Sequence, residues 1–201
     1  MKLYYSPGAC SLSPHIILRE AGYPFELEKV DLGAKTTASG GDYMKINPKG
    51  YVPALMLDDG QVLTENIAID EYLADQRRES GLAPPAGTFE RYRLVEWLAF
   101  ISTEIHKQFG PLFKPSTPDA TKQAQKDLLA KRFDYVAAQL ANKQYLMGDF
   151  TVADAYLFTV LNWTGKLQID MSRWPVIQTY MQRVAARPQV QAALKAEGLT
   201  K

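Results

Sequence analysis

The spacing of apolar and polar residues divides the chain into an N-terminal part with mixed patterns and a C-terminal part with helical patterns only. Residues 2–5 predict a short strand, and residues 14–21 place apolar side chains at helical spacing after a loop that contains Pro7 and Gly8. Residues 25–32 alternate apolar and charged side chains, which predicts a second strand. Strand, helix and strand in this order imply a parallel crossover, so an α/β unit begins here.

The next segments complete this unit with an antiparallel pair and a helix. Residues 33–42 are rich in Gly, Thr and Ser and predict a loop. Residues 54–57 and 61–63 predict two strands joined by the hairpin turn 58–60. Thr64 then has the side chain of a helix cap, and the helix that it starts is expected to end near residue 78. The order is therefore βαβ followed by ββα.

A stretch rich in Pro, Gly and Ala separates the two parts of the chain. We place a linker at residues 81–87, between a domain of residues 1–80 and an all-helical domain of residues 88–201.

Breakers and caps mark the helices of the second domain. Gly110 and Pro111 are expected to end its first helix. Thr151 and Asp154 have the spacing of a capping box, and the helix that follows them is apolar on nearly all sides. Such a helix is expected to lie at the buried centre of a helical bundle.

Composition narrows the classes of function. The chain has 201 residues, a net charge of +1, one cysteine and two histidines. One cysteine excludes an internal disulfide framework and disfavours a structural zinc site, and the balanced charge gives no reason to expect nucleic acid as a partner. No apolar run reaches the length of a membrane span and no signal peptide is recognisable, so we expect a cytoplasmic protein without a membrane partner.

The only cysteine, Cys10, lies between the first strand and the first helix. A helix N-terminus carries about +0.5 charge and can lower the pKa of a nearby thiol, which would make Cys10 reactive. The alternative is a small buried apolar residue, and position alone leaves both interpretations open. His15, within the first helix, is expected to be a helix-face residue without a chemical role.

Three motifs together resemble a known family. The opening Met1-Lys2-Leu3-Tyr4-Tyr5-Ser6-Pro7-Gly8-Ala9-Cys10-Ser11, the segment Asn47-Pro48-Lys49-Gly50-Tyr51-Val52-Pro53-Ala54-Leu55 and the segment Leu63-Thr64-Glu65-Asn66-Ile67-Ala68-Ile69 are similar to those of bacterial beta-class glutathione transferases. The resemblance extends over essentially the whole chain. It implies an N-terminal thioredoxin-like domain, a C-terminal all-α helical bundle and a homodimer.

The resemblance also implies glutathione as co-substrate. No metal and no nucleotide are expected, since P-loop and GxGxxG patterns are absent. Glutathione has two carboxylates, an ammonium, two amides and a thiol. The helix start at Glu65 and Asn66 offers N–H groups for one carboxylate and a side chain for the ammonium, Val52 offers backbone groups for the cysteinyl unit, and Lys35 offers a charge for the glycyl carboxylate. Without the motifs, Glu65 reads as an ordinary first-turn acid and Lys35 as an ordinary loop charge. Whether the Val52–Pro53 bond is cis stays open.

In the second domain the resemblance places His106 across a cleft from Cys10, where it would stabilise the glutathione thiolate. Thr103 and Glu104 would lie on or beside the same helix face and contribute to glutathione binding. The alternative is a half-buried histidine bonded to the backbone. Ala99 departs from the family pattern, in which an asparagine is frequent, and removes a side-chain contact.

A glutathione transferase also needs an apolar pocket for its second substrate. Phe109, Phe113 and Trp163 are the candidate walls, although Trp163 fits a core position better. The predicted function is attack of the glutathione thiolate on electrophilic or halogenated hydrophobic substrates. The alternatives are thiol–disulfide exchange or reductive dehalogenation through a mixed disulfide at Cys10, and a binding protein without catalysis.

Overall fold

The computed structural model describes residues 1–200, which form two compact units. Residues 1–83 and 186–200 make the first unit, and residues 84–185 make the second. The last helix therefore belongs to the first unit by its contacts, whereas the sequence pattern places it in the helical domain.

The first unit contains a five-stranded mixed sheet in the order β3-β2-β1-β4-β5. Strand β1 pairs in parallel with β2, as the predicted βαβ order requires, and antiparallel with β4. The strands are β1 Lys2–Tyr5, β2 Glu26–Asp31, β3 Thr36–Thr37, β4 Ala54–Met56 and β5 Val62–Thr64.

Strand β3 lies inside the segment that the sequence predicts to be a loop, so that prediction is wrong for Thr36 and Thr37. These residues pair antiparallel with Val30 and Asp31 at the edge of the sheet. Two residues are too few to show an alternating pattern, which is why the sequence gives no sign of this strand.

The helices of both units are α1 Leu12–Glu20, α2 Asn66–Gln76, α3 Phe89–Phe100, α4 Lys107–Phe113, α5 Asp119–Leu140, α6 Val152–Leu161, α7 Trp163–Lys166, α8 Pro175–Ala185 and α9 Pro188–Ala196. Within the first unit α9 packs on α1, and Arg187 donates from Nε and Nη2 to the carboxylate of Glu20 at 2.7 and 2.8 Å. Within residues 1–200, no helix is both long and apolar enough to cross a bilayer.

Helix α2 begins one residue later than predicted, because Thr64 is the last residue of β5 and Glu65 occupies the cap position. Glu65 has a φ of 76°, a backbone conformation that non-glycine residues rarely adopt.

In the second unit, α3 continues through a π-helical segment, Ile101–His106, into α4. The expectation that Gly110 and Pro111 end this helix is wrong, since Pro111 lies inside α4. Proline fits helical φ and costs one backbone hydrogen bond, and α4 ends two residues later.

The predicted capping box at the start of α6 is confirmed, and all residues of α6 are buried. Oδ2 of Asp154 accepts hydrogen bonds from the backbone N and the hydroxyl of Thr151 at 2.9 and 3.1 Å. Oδ1 accepts from the backbone N of Leu146 at 2.9 Å and from the Tyr180 hydroxyl at 3.1 Å. Burial nevertheless raises the pKa of Asp154 to about 6.

Candidate active site

Cys10 is the point at which the three motif segments meet in the first unit. Its Sγ donates a hydrogen bond to the carbonyl oxygen of Val52 at 3.1 Å. Its own carbonyl oxygen accepts a hydrogen bond from Nδ2 of Asn66 at 2.7 Å. The loop before α1, the loop before β4 and the first turn of α2 are therefore joined through one residue.

The Cys10 thiol is not activated in the way that its position suggests. The residue is half-buried, and desolvation raises the pKa of the thiol to about 12. The backbone N–H groups of Cys10 and Ser11 act in the opposite direction and lower this pKa by less. Of the two interpretations that the sequence leaves open, the raised pKa favours the buried thiol, because loss of hydration outweighs the field of the helix end. The thiol is neutral at pH 7.

The Val52–Pro53 peptide bond is cis, which answers the question that the sequence leaves open. Val52 is buried and precedes β4. The loop before it is held at Tyr51, whose carbonyl oxygen accepts hydrogen bonds from the Tyr43 hydroxyl and from Nδ2 of Asn47, both at 2.7 Å.

Charged groups surround the start of α2. The Glu65 side chain is largely exposed and forms an ion pair with Nζ of Lys49, which also donates to the Thr64 hydroxyl at 2.9 Å. Nζ of Lys35 donates to the carbonyl oxygen of Gly50 at 2.9 Å. Lys49 is thus joined to the start of α2 through its side chain, and Lys35 is bonded to the next residue of the same loop, Gly50. The sequence reasoning missed Lys49, although it lies inside one of the three motifs. Its place beside α2 follows from its ion pair with Glu65, which is seen only in the structure.

The side chain of Asn66 does not cap α2. Its amide is spent on the Cys10 carbonyl, and the residue is 7% exposed. Asn66 therefore fixes the start of α2 to the cysteine loop. The backbone N–H groups of the first turn of α2 follow the N-cap residue Glu65 and have no partner within the helix.

His106 lies in the second unit, on the π-helical segment, where its Nδ1 is 2.6 Å from the hydroxyl of Tyr156. Its ring also packs edge-on against Trp163 with centroids 4.9 Å apart. The partner is thus a buried tyrosine of α6, which the sequence reasoning missed because the two residues are 50 positions apart. The predicted relation of His106 to Cys10 stays a prediction.

Two neighbours of His106 are engaged within the same unit. The Thr103 hydroxyl donates to the carbonyl oxygen of Ala99 at 3.0 Å. The Glu104 carboxylate accepts from Nε of Arg132 at 2.8 Å. Their predicted contacts with glutathione would have to compete with these bonds.

The three aromatic residues predicted to line the electrophile pocket form one cluster around Trp163. Phe109 and Phe113 each meet the Trp163 ring edge-on, with centroids 5.4 and 5.6 Å apart. Phe109 is fully buried, so its ring does not line an open pocket as predicted. Trp163 is buried as well, in agreement with the core position that the sequence favours. Phe113, at 39% exposure, is the member that reaches the surface.

Within the described residues 1–200, no three His, Cys, Asp or Glu side chains lie close enough together to hold a metal ion. The residues around Cys10 offer hydrogen bonds, ion pairs and a neutral thiol.

A thioredoxin-like sheet unit joined to a helical unit, with a cysteine before α1, is the architecture of a glutathione transferase. The family models agree: residues 8–76 match the glutathione S-transferase N-terminal domain and residues 100–188 match the C-terminal domain. The chain belongs to the glutathione S-transferase family.

Relatives support this membership over the full length. The chain is 50% identical to glutathione S-transferase GstA of Escherichia coli O157:H7, over 99% of this chain and 100% of that protein. It is 49% identical, with a TM-score of 0.96, to a sphingomonad glutathione S-transferase solved in complex with glutathione, over 100% of both chains. It is 48% identical, again with a TM-score of 0.96 and 100% of both chains covered, to a bacterial beta-class enzyme of Sphingomonas chungbukensis. The resemblance to the beta class is thereby confirmed.

Proposed function

We propose that this protein binds reduced glutathione in its first unit and transfers it to hydrophobic electrophiles. The observation that carries the proposal is the junction at Cys10, where Val52 and Asn66 bring the three motif segments together. A relative that shares 49% of its residues has been solved with glutathione bound. Glutathione is therefore the co-substrate that we assign to the residues around this junction.

Each charged end of glutathione has a candidate partner around this junction. The N–H groups at the start of α2 suit the γ-glutamyl carboxylate, and the exposed Glu65 carboxylate suits the ammonium. The positive φ of Glu65 is a strained conformation of the kind that concentrates at binding sites. Lys35 is the predicted partner of the glycyl carboxylate, and Lys49 adds a second cation to the site. Val52 supplies backbone groups for the cysteinyl unit.

In the proposed reaction the glutathione thiolate attacks an electrophilic carbon, a C–S bond forms and a group such as halide leaves with the bonding electrons. A thiol whose pKa is about 12 acts as a hydrogen-bond donor and not as a nucleophile at neutral pH. In the complex, Cys10 would therefore turn its S–H from the Val52 carbonyl oxygen to the glutathione thiolate and stabilise that thiolate. This favours conjugation over the mixed-disulfide alternative. His106 is proposed as a second group that stabilises the thiolate, and Phe113 as a wall of the electrophile pocket.

Calorimetric titration with glutathione tests the binding part of the proposal. Glu65→Gln removes the charge offered to the ammonium and should weaken binding by about ten- to a hundredfold, since a charge-assisted bond contributes about 1.5–3 kcal/mol. Glu96→Gln is the matched control, because Glu96 is similarly exposed and also forms an ion pair, with Arg93. Wild-type affinity in Glu65→Gln, or equal losses in both variants, would contradict the proposed site.

Assembly as a homodimer is part of the same proposal. Phe89 and Tyr92 are three residues apart on α3 and are 67% and 64% exposed, which is unusual for large aromatic side chains. A second copy of the chain would cover them. Sedimentation of Tyr92→Glu should show a monomer where the wild type is a dimer. We also propose a cytoplasmic location, which fits a chain with a single, unpaired cysteine.

A further inference from the structure

A chain of polar contacts inside the first unit links the end of α9 to the loop that carries Cys10. Oε2 of Glu197 accepts a hydrogen bond from the backbone N of Gly8 at 2.8 Å. Oε1 of the same carboxylate lies 2.8 Å from Nδ1 of His15, and Nε2 of His15 accepts from Nε of Arg19 at 2.9 Å. The side chains of Glu197 and His15 are both fully buried. None of these residues belongs to the glutathione contacts proposed above.

The hydrogen bond from Arg19 determines which tautomer His15 adopts. Nε of a guanidinium can only donate, so Nε2 of His15 must be the acceptor. The ring proton then lies on Nδ1 and is donated to Glu197. Arg19 is held in turn by the ring of Phe25, 5.5 Å from its guanidinium carbon.

The end of α9 is itself built to present Glu197. Gly198 has a φ of 71° and donates to the carbonyl oxygen of Lys195 at 3.0 Å, while the N of Leu199 donates to Leu194 at 2.9 Å. This is the Schellman arrangement of a helix end. The Leu199 side chain lies over Gly8, since a Cβ placed on that glycine would be 3.3 Å from it. The C-terminal segment thus covers the Gly8 loop with one carboxylate and one apolar side chain.

We propose that Glu197 is a positioning residue that holds the loop from Gly8 to Cys10 in the geometry required for catalysis. Its carboxylate accepts from the N–H of Gly8, which lies two residues before Cys10. His15 and Arg19 orient the carboxylate from the other side. The catalytic part of this proposal rests on the proposed function, whereas the effect on the cysteine loop does not.

The single cysteine allows a direct test that needs no glutathione. In Glu197→Gln the side chain keeps one acceptor for two donors, Gly8 N–H and His15 Nδ1–H, so one hydrogen bond is lost. We expect the loop to open more often and the alkylation of Cys10 by iodoacetamide to become about tenfold faster, measured by mass spectrometry. Glu20→Gln is the matched control, because it weakens the Arg187 pair between α9 and α1 away from the loop.

A rate in Glu197→Gln equal to that of the wild type, or an equal increase in Glu20→Gln, would overturn the proposal. If Glu197→Gln does not fold, Leu199→Ala replaces it, because Leu199 is 42% exposed and its removal is tolerable. This variant should also accelerate alkylation, and an unchanged rate would count against the proposal. In turnover, Glu197→Gln should lower kcat while KM for glutathione changes less than about twofold. If alkylation responds and no variant or wild type turns over, the proposed function fails and the positioning of the loop stands.

Discussion

The Ser13 hydroxyl donates a 2.7 Å hydrogen bond to Oδ2 of Asp70, and it links the first turn of α1 to α2. The other carboxylate oxygen, Oδ1, is buried and has no hydrogen-bond partner among the described residues. Asp70 lies four residues after Asn66, so α2 holds the cysteine segment at two points one turn apart. Burial raises the pKa of Asp70 well above its ordinary value. Ionisation of this carboxyl in the folded protein is therefore unfavourable.

Asp70→Asn should therefore stabilise the protein at high pH. The unfolded chain releases this proton near its ordinary pKa of 3.8, whereas the folded chain retains it, so the contribution of Asp70 to stability falls as pH rises above about 4. Asparagine cannot ionise and keeps an acceptor for Ser13. Urea unfolding at pH 8 should show a gain of about 1 kcal/mol or more, and a smaller difference at pH 4. A loss of stability at pH 8 would show that the carboxylate itself is stabilised in the folded chain.

The same substitution at Asp154 should have the opposite sign. Four donors bind its two oxygens, and asparagine would turn an amide donor toward two of them. We expect a loss of about 2–4 kcal/mol in the free energy of unfolding at pH 7. Since the pKa of Asp154 is about 6 in the folded chain, its own contribution is full below pH 4 and is lost as pH rises to 6. A stabilised Asp154→Asn would refute the capping role.

The raised pKa of Cys10 predicts a steep pH dependence of its alkylation. The rate should increase about tenfold per pH unit between pH 8 and 10, because the thiolate fraction does so when the pKa is about 12. Stopped-flow or mass-spectrometric rates with iodoacetamide provide the measurement, with free N-acetylcysteine as reference. A plateau below pH 8 would mean that the helix end prevails over desolvation and that Cys10 is a thiolate in the cell.

Asn66→Ala should impair both stability and glutathione binding. It leaves the carbonyl of Cys10 without this donor, which costs about 1–3 kcal/mol of unfolding free energy. Asn162→Ala is the control, since Asn162 makes a similar 2.8 Å bond to the carbonyl oxygen of Phe158 in the second unit. Calorimetry should show weaker glutathione binding in Asn66→Ala only. Equal affinities of the two variants for glutathione would show that the hydrogen bond between Asn66 and Cys10 does not contribute to glutathione binding.

The aromatic cluster allows core and pocket roles to be distinguished. Phe109→Ala removes a fully buried ring and should cost about 3–5 kcal/mol of stability. Phe113→Ala removes a ring that is 39% exposed and should cost much less, while KM for an aryl electrophile rises several-fold. The measurements are urea unfolding and initial rates with a chlorodinitrobenzene. An unchanged KM in Phe113→Ala would remove Phe113 from the pocket.

Much of the first unit follows from local patterns in the sequence. The bounds of β1 agree with the prediction, and no bound of β2, β4 or β5 differs from it by more than one residue, because Gly and Pro near the strands limit where they can begin and end. The three motifs were recognisable in the sequence, whereas their meeting at Cys10 is seen only in the structure. Its pKa could not be predicted, since it depends on how far tertiary packing removes water from Sγ.

Partners that are far apart in sequence were missed for a different reason. Tyr156 beside His106 and Glu197 beside His15 have no periodic relation to the residues that they bind. The sequence placed His15 on a helix face, and its full burial between Arg19 and Glu197 could be seen only after α9 was known to pack on α1. Contacts between residues so far apart cannot be inferred from the pattern of one amino-acid sequence.

The π-helical segment has a consequence for how the chain tolerates insertions and deletions. A π turn contains about one residue more than an α turn, so the segment Ile101–His106 absorbs the rotation of about 100° that one extra residue would add between α3 and α4. Deleting one residue between positions 101 and 106 would let the whole helix become regular. Because the π segment already absorbs the extra residue, the side chains from Lys107 to Phe113 would keep their directions after such a deletion, and Phe109 would stay in the hydrophobic interior.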